Sequence, residues 1–253
     1  MSTQQQIPTL RPYISLDIET TGLNLEKSNI LQIAAVYDDG ISSLTSLPFY
    51  NVYIDDPVTY SELGALTLHE KTKIWSKIKA AKDKGETRSI EKAIDGLLDF
   101  IDSKRETKFK GGKFPVTLAG KNAATFDIPL LKRWMTDEQK KRFHEMIFFM
   151  ILDAGSLYFS DFGYIPTLNN ILKKIGVTYN PPDPTEELLK LIHDRTKCSN
   201  NGKTLSLDVI IRECHHQLLS KSSQRTDVEH DGVSDSLDVI RCIRHKMGVN
   251  YTS

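Results

Sequence analysis

The sequence predicts an α/β fold with a mixed five-stranded sheet flanked by helices, and two observations lead there. Short β-rich runs come first and in quick succession, and helical periodicities alternating with further strands follow them. A composition of 39% hydrophobic and 26% charged residues over 253 positions is that of a globular chain with enough apolar side chains for a sizeable core.

Residues 12–19 (PYISLDIE), 30–37 (ILQIAAVY) and 49–54 (FYNVYI) read as strands. Turn residues between them, including Asp38, Asp39 and Gly40, predict an antiparallel meander. Over 86–102, Ile90, Ala93, Ile94, Leu97, Leu98 and Ile101 recur at helical spacing. A strand at 115–119 (PVTLA) is followed by a helix from about 126 to 134, with Thr125 as N-cap and Pro129 in the first turn, where its missing N–H is tolerated. The apolar run 147–153 (IFFMILD) reads as a further buried strand. Helical patterns recur at 167–175, 186–195, 205–220 and 233–247. Pro181, Pro182 and Pro184 lie in a Pro-, Asn- and Asp-rich stretch, 178–204, that marks a loop or the start of an inserted subdomain. The expected organisation is one domain over 1–253, with a helical insertion over 178–227 before the last helix.

Lysine plus arginine and aspartate plus glutamate both number 33, so the chain lacks the basic footprint of a non-specific DNA-coating protein. Two local clusters, Lys73–Lys84 and Lys104–Lys113, suit either phosphate contacts or solvated helix ends and loops. No apolar run reaches membrane-spanning length and the N-terminal residues lack a signal-peptide core, so a soluble, cytoplasmic protein without a membrane partner is expected. Cys198, Cys214 and Cys242 are too few for a disulfide framework, and no C-x-x-C pair supports a zinc site. The Gly-Lys pairs at 112–113, 120–121 and 202–203 lack the glycine spacing of a P-loop.

The chemistry-bearing residues are carboxylates in awkward places. Asp17 and Glu19 lie two apart at the end of the first strand, so both project from one face with Ile18 on the other. Two like charges so placed repel unless a cation neutralises them, and paired carboxylate oxygens suit a hard divalent ion. The plainer reading is a solvated strand end. Asp127 shares an i, i+3, i+4, i+7 stripe with Leu130, Leu131 and Trp134, which turns a carboxylate toward the sheet; a helix-dipole role explains its position but not that face. Asp235 likewise heads the apolar stripe of Val239, Cys242 and Ile243. His230 lies five residues earlier, about 140° around a continuous helix, and Gly232 between them places it in the preceding loop. Its ordinary pKa near neutrality suits general-base work.

The order of these features, D-x-E on a first strand, an aspartate at a later helix start, then His-x₄-Asp on a terminal helix, resembles the DEDDh exonucleases. These form the DnaQ-like 3′–5′ family on a ribonuclease H-like fold. SLDIETTGL with ILQIAAVY is similar to the family's first block, GKNAATFDIPLL to its second and HDGVSDSLDVI to its third. The likeness extends to ALTLHEKT, where His69 matches a family-like position, and to IPTLNNILKKIGV, and covers roughly 1–177 and 226–247. No tyrosine lies four residues before Asp235, unlike the tyrosine-using branch. The intervening residues 178–227 depart from the family's spacing.

The resemblance implies two Mg²⁺ or Mn²⁺ ions. Asp17 would bridge them, Glu19 and Asp235 would complete the site around the first, Asp127 would hold ligands directly or through water, and His230 would accept the proton of the attacking water. It implies release of nucleoside 5′-monophosphates from a free 3′ end, with single-stranded DNA as the leading polymer and RNA ends or short oligonucleotides as the alternative. A non-catalytic binding module on the same fold is the second alternative. The segment Thr20, Thr21, Gly22 and Leu23 would pass the terminal sugar, with Leu23 against the terminal base. Asn122 and Phe126 would contact or stack on nucleotides. The insertion would form a rim or lid, or an interface for a protein partner or for self-association.

Overall fold

The computed structural model describes residues 10–108, 111–177 and 232–249. The chain divides into a unit of Met1–Gly176 with Glu229–Ser253 and a second unit of Val177–Val228. The expected helical patterns at 186–195 and 205–220, and the 178–227 insertion that contains them, lie outside the described residues.

Five strands form one sheet in the order β3-β2-β1-β4-β5: β1 (Tyr13–Thr20), β2 (Ile30–Asp38), β3 (Phe49–Tyr53), β4 (Thr117–Gly120) and β5 (Leu152–Asp153). The first three make the expected antiparallel meander. β4 then joins β1 in parallel and β5 joins β4 in parallel, which makes the sheet mixed and β1 its central strand. The helices are α1 (Leu63–Thr72), α2 (Ile74–Asp83), α3 (Ile90–Ser103), α4 (Asp127–Trp134), α5 (Asp137–Met146), α6 (Ala154–Leu157), α7 (Phe159–Phe162), α8 (Leu168–Lys174) and α9 (Gly232–Lys246).

Alternation along β1 separates the two faces of the sheet. Ile14, Leu16 and Ile18 join Ala93, Ile94, Leu97, Leu98 and Ile101 of α3, Leu130 and Leu131 of α4, and Phe143 and Met146 of α5 in one buried cluster. Full burial of each leucine or isoleucine there contributes roughly 1.5–3 kcal/mol. The odd positions of β1 face α9, which packs across β1 and β2. Arg244, 1% exposed, anchors that helix through a fully buried ion pair with Asp38 at the end of β2, its Nε donating to both carboxylate oxygens at 3.1 Å. Burial, and then the Asp38 carboxylate beside it, push the Tyr13 phenol well above its usual range.

Several expectations need correction. The 147–153 strand shrinks to Leu152–Asp153, because Phe149 (83% exposed) and Met150 face solvent at the sheet's edge. Thr125 is not the cap of α4: the cap position is Phe126, and the Thr125 hydroxyl donates to the Asn122 carbonyl instead. The 86–102 helix begins at Ile90 after Ser89, since the preceding residues run alongside β3, where Arg88 N–H donates to Tyr53 O. Five of the described helices had no expectation: α1, α2, α5 and the four-residue α6 and α7. Leu63 and Leu66 of α1 are exposed, so its periodicity is faint, and a left-handed Lys73 (φ 56°) breaks α1 from α2. α5 buries only Gln139, Phe143 and Met146, yet its Thr136–Gln139 capping box was legible as T-x-x-Q.

Candidate metal centre

β1 carries two of the acids. Asp17 and Glu19 lie on its α9-facing side, opposite Ala34 and Gln32 of β2 in the antiparallel register. Immediately after Glu19 the register slips, from Glu19↔Gln32 to Thr20↔Ile30, so that Leu31 of β2 is an extra residue. Such a bulge sharpens the local twist and re-aims the strand end. Glu19 is 8% exposed and Asp17 half-buried.

α9 supplies the third acid. Its first residue, Gly232, sits so close to β2 that a Cβ there would lie 2.7 Å from the Ala34 Cβ and 3.5 Å from Asp17 Oδ2. Only glycine permits this approach without displacement. The Gly232 N–H donates to Gln32 Oε1 at 3.4 Å, and the Gln32 amide is steadied by Asn51 at 2.8 Å. One turn later Asp235 reaches the β1 pair: one oxygen each from Asp17, Glu19 and Asp235 all lie within 4.8 Å of one another. The helix expected over 233–247 runs from Gly232 to Lys246.

Asp127 approaches from the other side of β1. The pairing of β1 with β4 ends at Ser15↔Ala119, so the next amides on that edge of β1 lack a strand partner. Ile18, between the two acids, donates its N–H to Asp127 Oδ1 at 3.1 Å. Asp127 is 5% exposed, and burial pushes its carboxyl up to about 7, against the Ile18 amide that favours the ionised form. Asp127 is thus held at the same end of β1 but outside the cluster of three. His230 lies outside the described residues.

The segment after Glu19 is tied down at nearly every backbone group. Thr20 Oγ1 donates to Gly22 O at 2.7 Å; Thr21 exchanges bonds with Asn29, its Oγ1 accepting from the Asn29 N–H at 2.9 Å. The Thr20 and Thr21 side chains are therefore buried within the loop, while Leu23 is 76% exposed. His69, 2% exposed, meets Thr20 O through Nε2 at 2.5 Å; a carbonyl only accepts, so Nε2 is the donor, and Nδ1 is buried without a hydrogen-bond partner. Asn122 is exposed in a left-handed turn (φ 62°), its N–H donating to Asp153 Oδ2 at 2.7 Å and its side chain accepting from Lys121. Phe126 is half-buried and packs against the main core.

Sequence reasoning missed Gln32, Glu62 and the structural part played by Gly232. A glutamine inside the apolar run ILQIAAVY was the available signal for the first; Glu62, in a loop with no periodicity, gave none.

The donor set is all oxygen, from two sequence-distant elements, with one member buried. Carboxylates held this close are costly unless neutralised, and oxygen-only sets select Mg²⁺- or Mn²⁺-like ions over softer metals. The residues present thus fit a hard divalent cation. No family model matches this sequence, and no curated protein matches it. Among the described residues, no helix is long and apolar enough to cross a membrane.

Proposed function

We propose that this chain is a metal-dependent 3′–5′ exonuclease of the DEDDh type on a ribonuclease H-like sheet. It would hydrolyse phosphodiester bonds from the free 3′ end of a single strand and release nucleoside 5′-monophosphates. The observation that carries the reading is the convergence of Asp17, Glu19 and Asp235, the acids of the first and last motif blocks, to within 4.8 Å. The sheet order, with an antiparallel meander leading into parallel strands, and the placement of Asp127 on the Ile18 amide accord with it.

Asp17, Glu19 and Asp235 would hold the ions, with Asp127 completing the set. Two divalent ions, when bound, make a water nucleophilic at neutral pH and neutralise charge on the phosphoryl and leaving oxygens. The protein's own work is positional. The β1 bulge and the Gly232 contact fix the three carboxylates before substrate arrives, so little reorganisation accompanies the reaction. The pinned 20–24 segment offers a rigid wall for the terminal nucleotide, with Leu23 exposed upon it. His230 is the proposed acceptor of the water's proton.

The test compares single- and double-stranded DNA and RNA of matched sequence, each with free or blocked 3′ ends, in Mg²⁺, Mn²⁺ or chelator. Metal-dependent release of 5′-mononucleotides from free ends only, lost in Asp17→Ala, supports the reading. Equal cleavage of blocked ends, or unchanged turnover in Asp17→Ala, overturns it. Binding without cleavage under every condition would assign the fold to the non-catalytic alternative, and a preference for RNA would assign it to the exoribonuclease one.

A further inference from the structure

We propose that Glu62 is a positioning residue for the terminal nucleotide, acting through the backbone of Leu23; this rests on the exonuclease reading above. Glu62 lies just before α1, far in sequence from the D-x-E motif, yet its carboxylate serves the loop that follows that motif. Oε2 accepts the Leu23 N–H at 3.1 Å, and Oε1 accepts the Asn24 N–H at 3.1 Å and the Tyr60 hydroxyl at 3.2 Å. The Glu62 N–H in turn donates to Thr21 O at 2.8 Å. One side chain and its own amide thus hold the backbone at three residues of this loop, Thr21, Leu23 and Asn24. Hydrogen bonds to an ionised acceptor are the stronger kind, and two amides on one carboxylate define its orientation as well as its distance.

The neighbouring residue leaves room for this carboxylate. A Cβ on Gly22 would lie 2.6–2.8 Å from Cδ, Cγ and Oε1 of Glu62, although Gly22 has no positive φ. A side chain at position 22 would therefore push the Glu62 carboxylate out of its present place. Asn29 braces the same arrangement from below: its Oδ1 accepts from Thr59 N, Thr59 Oγ1 and Tyr60 N, while its own N–H donates to Thr21 Oγ1. The consequence is a leucine that is 76% exposed on a rigid backbone, four residues beyond Glu19. In the proposed reaction that leucine would meet the terminal nucleobase.

The experiment uses the full chain with Glu62→Ala and Glu62→Gln, the latter keeping one acceptor oxygen. In metal-free protein, amide hydrogen exchange at Leu23 and Asn24 should speed up at least about tenfold in Glu62→Ala and less in Glu62→Gln. On a 3′-labelled oligonucleotide, KM should rise about tenfold in Glu62→Ala, with kcat and Mn²⁺ affinity within about twofold of wild type and Glu62→Gln intermediate. Unchanged exchange at both amides overturns the strut. Faster exchange with unchanged KM overturns its role in positioning substrate, as does a fall in Mn²⁺ affinity that accounts for the lost activity. A wild-type chain that cleaves nothing overturns the exonuclease reading and the role in turnover together, while the exchange result still decides whether Glu62 holds the loop.

Discussion

Replacing Asp127 by Asn separates the structural and chemical duties of the most deeply buried acid at the site. The amide oxygen can still accept the Ile18 N–H, so the cap on β1 survives, but the group no longer ionises. In the wild type, burial raises the carboxyl from 3.8 to about 7. A folded-state value above the unfolded one means the folded chain binds the proton more tightly. That contribution to stability is fully present below the unfolded value and is lost as pH rises through the folded one. Between pH ~5, where the unfolded aspartate is already ionised, and pH ~8, past the folded value, the loss amounts to about 3 kcal/mol at ~1.4 kcal/mol for each tenfold change in proton activity. Urea denaturation in chelator at about pH 5 and pH 8 reads this directly. The wild type should weaken by about 3 kcal/mol more than Asp127→Asn across that range. Mg²⁺ should then restore stability to the wild type at the higher pH more than to the variant, because an ion that binds only the folded state stabilises it. Parallel pH profiles for the two proteins would refute the buried-acid argument.

Three further outcomes follow from the same geometry. Arg244→Met leaves Asp38 buried with its charge uncompensated, and should cost about 3–5 kcal/mol by chemical denaturation; a loss below ~1 kcal/mol would mean that α9 is held by packing alone. Gly232→Ala drives a methyl into Ala34, should cost about 1–3 kcal/mol, and should weaken Mn²⁺ binding by moving Asp235 outward; wild-type Mn²⁺ affinity in a folded variant would contradict the close approach. His230→Ala should lower kcat by about a hundredfold or more while Mn²⁺ affinity stays within about twofold; lost affinity with normal turnover per bound ion would remove it as the base.

The sheet was legible because β1, β2 and β3 are short β-rich runs with turn residues between them, and α3 carries a complete apolar stripe. Asp127 and Asp235 stood out for a physical reason: a carboxylate on an otherwise apolar face must answer to something on the far side of it. Asp127 answers to an orphaned strand amide, Asp235 to the β1 acids. What stayed hidden depends on three-dimensional proximity. The clash that makes Gly232 obligatory involves Ala34, about two hundred residues away in the chain, and Glu62 reaches a loop 39 residues before it. The edge strand β5 was overread because an apolar run at a sheet's border has the composition of a buried strand without its burial.

The most direct measurement is anomalous diffraction from crystals soaked in Mn²⁺. The account predicts a peak at coordination distance from carboxylate oxygens of Asp17, Glu19 and Asp235 together, absent from crystals of Asp17→Ala. Mn²⁺ bound elsewhere, or wild-type crystals with no peak between β1 and the start of α9, would contradict it.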